Sequence, residues 1–205
     1  MYLNNQYYIY RQVLTSNECR DIISLGLSKN IQTATIMGNK KPDNKQKIKE
    51  LKKTRNSQVS WLNEPWLYNI FIPLIDNANS RAQWNFNIDW AENFQFTKYE
   101  KTNHYTWHMD SNDKPYQSPD PNFNGKIRKI SLIASLSDSN DYEGGDLQID
   151  LSNRANRKPN IVTIKELRQK GSVVIFPSFM WHRVTPITKG TRFSLVMWNI
   201  GNPFK

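Results

Sequence analysis

From Trp84 to the C terminus the sequence breaks into short β-prone runs separated by turn signals, and no other feature constrains the fold as much. The runs are Phe94–Tyr99, Tyr105–Met109, Ile130–Leu136, Leu147–Ile149, Val173–Phe176, His182–Thr185 and Phe193–Ile200. Gly144-Gly145 and Lys189-Gly190 mark turns between them. Short strands bury a face only by packing against another sheet, so the pattern predicts a sandwich, a barrel or a jelly roll.

The first 83 residues read differently. Tyr7–Tyr10 is a short β-prone run. Thr15 and Glu18 then stand three apart, as an N-cap and its capping-box partner do. Cys19, Ile22, Ile23 and Leu27 follow at helical spacing and predict one apolar face. Cys19 on that face reads as a small core residue. Gly38–Thr54 is polar and charged, which predicts a loop or a poorly packed helix. Ser57–Leu62 reads as a strand. A second helix is expected from near Asn63, with Pro65 in its first turn and an apolar stripe of Trp66, Ile70, Leu74 and Ala78. Pro73 is expected to kink it. With no internal repeat and no low-complexity linker, residues 1–205 are read as one α+β domain, helical support over 1–83 and a β core over 84–205.

Composition excludes several classes. No apolar run approaches the ~20 residues that span a bilayer, so no membrane partner is expected. The N terminus lacks a basic segment followed by an apolar one, and is read as carrying no signal peptide. A single cysteine, Cys19, forms no disulfide framework. A cytoplasmic location is the expectation. The net charge is +10, and eight basic against two acidic residues between Lys40 and Arg55 put +6 of it in one stretch. Arg154, Arg157 and Lys158 form a second cluster. Basic clusters suit nucleic acid. The Lys40–Arg55 run carries no aromatic residue for base stacking, however, and reads as a solvated loop. Asp110–Lys126, the longest gap in the β region, reads either as a lid over whatever site Asp110 belongs to or as an inert surface excursion.

There are three histidines, His104, His108 and His182. His108 and Asp110 stand two apart in a β-prone run, and such residues point to one face of a strand. An imidazole and a carboxylate then meet one ion together. His182 is the candidate for a third ligand from a distant part of the chain. Two histidines and one carboxylate that leave open positions form the facial triad of non-haem Fe(II) oxygenases, whereas structural zinc sites more often close a four-ligand shell. Arg192 lies ten residues after His182, across a turn marked by Pro186 and Lys189-Gly190. A hairpin there would set the two on adjacent strands. In so apolar a strand Arg192 is expected to be buried, and a buried guanidinium needs an anion, for which its planar fork suits a carboxylate. Ser194, on the same face, adds a hydroxyl.

At these residues the chain resembles the prolyl-4-hydroxylase-like branch of the Fe(II)/2-oxoglutarate oxygenases. Tyr99, Tyr105, His108 and Asp110 fall on the family pattern Y-x-x-G-x-x-Y-x-x-H-x-D, with Thr102 where the family has glycine. Glu143-Gly144-Gly145-Asp146-Leu147 matches its E-G-G-x-L turn, and Phe176-Pro177-Ser178 the segment before its second histidine. Arg192 matches its basic anchor, and Trp198 a tryptophan six residues on. The segment Val13–Cys19 resembles its opening helix.

The resemblance implies a double-stranded β-helix (jelly-roll) core supported by N-terminal helices. It implies Fe(II) on His108, Asp110 and His182, with 2-oxoglutarate and O2 as co-substrates and ascorbate as a reductant. It implies that the far carboxylate of 2-oxoglutarate pairs with Arg192, assisted by Tyr99 and Ser194. Arg128, Tyr105 and Trp198 are expected to face substrate.

Three functions fit. One is hydroxylation of a prolyl or similar residue in a protein or peptide, releasing succinate and CO2, and the branch resembled favours it. The second is a nucleic-acid oxygenase or demethylase. The charge favours this, but Trp198 occupies the place of the second arginine in the R-x5-R pattern of alkylation-repair relatives. The third is a jelly-roll binding protein without turnover, which has no need of a triad together with Arg192. The oligomeric state is not legible in the sequence.

Overall fold

A computed structural model describes residues 3–35, 45–111, 114–152 and 158–204. The strands are β1 (Tyr8–Tyr10), β2 (Gln32–Thr33), β3 (Arg55–Asn56), β4 (Gln58–Leu62), β5 (Trp90–Ala91), β6 (Phe94–Tyr99), β7 (His104–His108), β8 (Ile127–Ser135), β9 (Tyr142–Gly144), β10 (Leu147–Asp150), β11 (Ile161–Thr163), β12 (Val173–Pro177), β13 (His182–Val184), β14 (Ile187–Gly190) and β15 (Arg192–Gly201). The helices are α1 (Ser16–Ser28), α2 (Lys45–Thr54) and α3 (Pro65–Arg81). Arg154, Arg157 and residues 40–44 of the basic run lie outside the described residues.

An eight-stranded sheet has the order β1-β12-β8-β15-β6-β4-β2, with β5 paired to β15. A five-stranded sheet has the order β11-β10-β13-β7-β3, and β14 pairs with β9. All the described pairings are antiparallel. The larger sheet is the central layer. Helices α1 and α3 cover one face, through Cys19, Ile22, Leu67, Phe71, Ile75 and Ala78 against Phe94, Phe96, Leu132 and Leu195. The smaller sheet covers the other, where Leu147, Ile149 and Val184 meet Tyr99, Ile133 and Phe176. Two antiparallel sheets packed face to face make the jelly roll, and the helices support it from outside. Strand β8 shows the layering directly. All nine of its residues are buried because both faces are covered, the polar Arg128, Lys129, Ser131 and Ser135 included.

Helix α1 begins as expected. The Thr15 hydroxyl accepts from the Glu18 N–H, and the Glu18 carboxylate accepts from the Thr15 N–H at 2.7 Å. Its buried stripe is Cys19, Ile22 and Gly26; Ile23 is half-buried and Leu27 is 44% exposed. Gly26 takes the place expected of Leu27 because α1 sits against the Phe96 ring: a Cβ at Gly26 would lie 2.3 Å from it. The stripe of α3 is likewise one residue out of register. Leu67, Phe71, Ile75 and Ala78 are buried, while Trp66 is 37% exposed and Ile70 and Leu74 are half-buried. Both registers of this helix are apolar, and contact of Phe71 with Phe94 selects the inner one. Helix α3 runs on through Pro73.

Candidate active site

His108 ends β7 and His182 begins β13, and the two are direct partners across the ladder. Opposed residues of an antiparallel pair project to one face, so the imidazoles meet with ring centroids 4.1 Å apart. Asp110 lies just past the end of β7. Its backbone N–H donates to the Ser178 carbonyl at 2.9 Å. This brings Asp110 Oδ1 to 3.7 Å from His108 Nε2, and Oδ2 to 3.5 Å from His182 Nε2. One ligand atom from each residue lies within 4.8 Å of the others, the only such His/Cys/Asp/Glu cluster among the described residues. His104 is not part of it; its ring nitrogens meet the carbonyls of Thr102 and Lys53.

The ligand atoms are prepared for a cation. Nδ1 of His108 lies 2.8 Å from the Thr106 carbonyl, and Nδ1 of His182 2.9 Å from that of Met180. A carbonyl only accepts, so both Nδ1 atoms carry hydrogen and both Nε2 atoms are the ones that face Asp110. Burial, reinforced by His182, holds the His108 pKa down to about 3, so its ring is neutral. Burial would raise the pKa of Asp110, but the two histidines and Arg128 outweigh it and hold the carboxyl at about 2. Ser131 Oγ donates to Asp110 Oδ2 at 2.7 Å and lies 2.9 Å from Ser178 Oγ. Sequence reasoning missed Ser131 and Ser178. The alternation in β8, with Ser131, Ile133 and Ser135 opposite Ile130, Leu132 and Ala134, was the signal for Ser131.

A cavity of about 210 Å³ opens on these residues. Its wall includes Tyr99, Tyr105, Arg128 and Trp198, the triad, and an arm formed by Arg55, Trp61 and Gln95. Tyr105 stacks on His108 with centroids 3.4 Å apart and planes 13° apart. Its phenol is pushed up to about 12, chiefly by burial. Arg55 overturns the reading of Lys40–Arg55 as a solvated run. It is buried, lies 4.6 Å over the Tyr105 ring, and donates to the Thr35 carbonyl and Gln95 Oε1. Arg55, Ser57 and Val59 alternate into the core at the period of a strand, and this was legible in the sequence. The described part of the run also forms helix α2, whose Leu51 is buried.

Arg128 lines the cavity but does not present its fork to it. Nε and Nη2 meet the two Glu92 oxygens at 2.6 and 2.7 Å, and the guanidinium lies 3.7 Å from the Trp198 ring. The expected lid is anchored here as well: Tyr116 donates to Glu92 Oε1 at 3.2 Å. None of residues 114–126 lines the cavity.

Arg192 and His182 are not on adjacent strands. β13 belongs to the smaller sheet and β15 to the larger, and β14 carries the chain between them. Arg192 therefore reaches the site from the facing sheet. It is 2% exposed and pairs with no carboxylate among the described residues. Its Nη1 reaches the Ser194 hydroxyl at 3.5 Å, and its guanidinium lies 5.4 Å from the ring of Tyr99, its ladder partner. Arg192 and Ser194 do not line the cavity; they pack against Tyr99, which does. Thr97 Oγ1, Ser135 Oγ and Trp198 Nε1 are buried without a hydrogen-bond partner on this same face. An unpaired buried cation beside orphaned hydroxyls is costly unless an anion completes it. The residues thus fit a dicarboxylate as well as a cation. Thr102, where the resembled family has glycine, has φ +71°, the left-handed conformation that glycine adopts most readily.

Residues 94–199 match the model of the 2OG-Fe(II) oxygenase superfamily. The chain belongs to this superfamily. Membership brings Fe(II), 2-oxoglutarate and O2 as its cofactor and co-substrates. A PKHD-type hydroxylase of Nitrosomonas europaea is 31% identical over 150 residues, covering 70% of this chain and 60% of that one. Another, from a Synechococcus species, is 36% identical over 95 residues, covering 46% and 35%. The chain therefore spans less than two thirds of the length of these relatives. Among solved structures, a prolyl hydroxylase of Trichoplax adhaerens, in complex with a hypoxia-inducible-factor peptide fragment, superposes with a TM-score of 0.69 at 19% identity, covering 96% of this chain and 84% of that one. The collagen prolyl hydroxylase of Paramecium bursaria Chlorella virus-1, in its 2-oxoglutarate complex, gives 0.63 at 15% identity, covering 97% of each chain. At such identities these two show a shared fold. No helix among the described residues is long and apolar enough to cross a membrane.

Proposed function

We propose that this oxygenase hydroxylates an unactivated C–H bond of a prolyl or other residue in a protein or peptide. One observation carries the reading: His108, Asp110 and His182 converge within 4.8 Å on a cavity, and Arg192, buried and without a carboxylate partner among the described residues, packs behind Tyr99 of the cavity wall. Bound Fe(II), 2-oxoglutarate and O2 supply the oxidising power, with succinate and CO2 released and ascorbate serving to restore reduced iron. The protein's residues do the rest. His108, Asp110 and His182 would hold the ion, and a three-residue ligand set would leave it positions for a co-substrate. Ser131 and the two Nδ1–carbonyl contacts fix their orientation. Arg192, with Ser194 and Tyr99, holds the far carboxylate of 2-oxoglutarate. Tyr105 and Trp198 form walls against which a substrate ring packs, while Arg128 and Glu92 hold Trp198 in place.

The relatives support the peptide reading: PKHD-type hydroxylases by sequence and prolyl hydroxylases by fold, one of the latter bound to a peptide. The reading of residues 1–205 as a single domain is supported by the apolar cluster that α1, α3 and the larger sheet share. A cytoplasmic location agrees with the free, buried thiol of Cys19. The test is mass spectrometry of proline-containing peptides and of methylated oligonucleotides after incubation with Fe(II), 2-oxoglutarate and air. A gain of one oxygen on a peptide supports the proposal. Demethylation of the oligonucleotide alone would transfer the site to nucleic acid.

A further inference from the structure

A second concavity lies on the opposite, helix-covered side of the larger sheet. It has a volume of about 590 Å³ and runs between α3 and β5. Tyr68, Ile72 and Asp76 line it from α3, Asp89 and Trp90 from the β5 side, and Asn199 from β15. Asn199 is 1% exposed, and its Nδ2 is buried without a hydrogen-bond partner. A buried amide donor left unmatched is destabilising unless an acceptor arrives. Strand β5 pairs only with β15 among the described residues, so its outer edge is free beside the groove. Trp90 is 48% exposed. The charged residues of the lining are both acidic, in a chain whose net charge is +10. Asp89 is held by Lys126 at 3.0 Å, which leaves the exposed Asp76 for a ligand.

We propose that this groove binds an extended peptide segment carrying a cationic side chain, at a site separate from the catalytic cavity. The free edge of β5 suits strand addition, the commonest way a sheet captures an extended chain. A peptide carbonyl supplies the acceptor that Asn199 Nδ2 lacks. A lysine or arginine pairs with Asp76 and lies on the Trp90 ring. A neutral saccharide also stacks on tryptophan, but it does not answer the acidic lining or the free strand edge.

The proposal is independent of oxygenase activity, and so is its test. The full chain is labelled with 15N and titrated with the acetylated, amidated peptide Val-Ala-Lys-Ala-Val. Saturable shifts of the Trp90 indole N–H and the Asn199 carboxamide are expected. Trp90→Ala is expected to weaken binding about tenfold and Asp76→Asn about threefold. Replacing the peptide's lysine by glutamate should weaken it at least as much as Asp76→Asn does. Both variants alter exposed side chains, and an otherwise unchanged spectrum shows that the fold is kept. Absence of a saturable shift at these two groups overturns the proposal. So does binding that neither variant weakens, or a response to maltotriose with none to the peptide.

Discussion

Arg192 and Tyr99 face each other across the ladder between β6 and β15, the guanidinium 5.4 Å from the tyrosine ring, with no carboxylate paired to it among the described residues. The anion proposed to complete this pair is the far carboxylate of 2-oxoglutarate. Removing a buried, charge-assisted partner costs about 2–5 kcal/mol of binding, and each ~1.4 kcal/mol is a factor of ten. Arg192→Ala is therefore expected to raise the 2-oxoglutarate concentration at half-maximal succinate formation at least about thirtyfold, with iron affinity nearly unchanged. Arg192→Lys should recover part of the loss. Steady-state turnover and Fe(II) titration check the two halves separately, and equal loss of both would make Arg192 a packing residue.

Ser131 donates to Asp110 Oδ2 at 2.7 Å and touches no other part of the triad by a hydrogen bond. Groups that orient a metal ligand typically contribute 10–100-fold in metal affinity or activity. Ser131→Ala is expected to weaken Fe(II) binding by about that factor and to leave the 2-oxoglutarate requirement close to its original value at saturating iron. Equilibrium titration under argon measures it.

Glu92 is the one carboxylate in salt-bridge contact with Arg128 among the described residues, and both side chains are about nine-tenths buried. Glu92→Ala leaves a guanidinium in the interior without its counter-charge, which typically costs about 3–5 kcal/mol. Urea unfolding should show a loss of that order. A loss under about 1 kcal/mol would mean that Arg128 is free to serve substrate directly.

Cys19 is fully buried and its thiol pKa is raised, chiefly by burial. The thiolate is the reactive form, so the native protein should not react with an aromatic disulfide reagent, while the denatured chain should titrate one thiol. Rapid reaction of the native protein would show that α1 opens from the sheet.

The site was more legible in the sequence than the packing around it. The two-residue step from His108 to Asp110 and the ten-residue step from His182 to Arg192 were visible, so the polar constellation could be read residue by residue. Asp110 nevertheless lies past the end of β7, and it is turned toward His108 by its N–H bond to the Ser178 carbonyl and not by a shared strand face. The path between those two could not, because the switch from the smaller to the larger sheet through β14 is a long-range event that no local signal announces. The stripes of α1 and α3 slipped for a related reason. Trp66, Ile70 and Leu74 are as apolar as Leu67, Phe71 and Ile75, and only the position of Phe94 decides between them. Gly26 faces the core because Phe96 leaves no room for a larger residue. Arg55 was missed because its neighbours in the chain are lysines, whereas its neighbours in space are Tyr105 and Gln95.

One open metal site that also receives 2-oxoglutarate is the central proposal, and an anaerobic titration tests it most directly. Fe(II) is added to the protein under argon in the presence of 2-oxoglutarate, and the visible spectrum is followed. A weak charge-transfer band that saturates at one iron per chain, and is lost in Asp110→Ala and in His182→Ala, is the predicted result. No band at saturating iron and 2-oxoglutarate, or an undiminished band in both variants, would contradict the assignment of His108, Asp110 and His182.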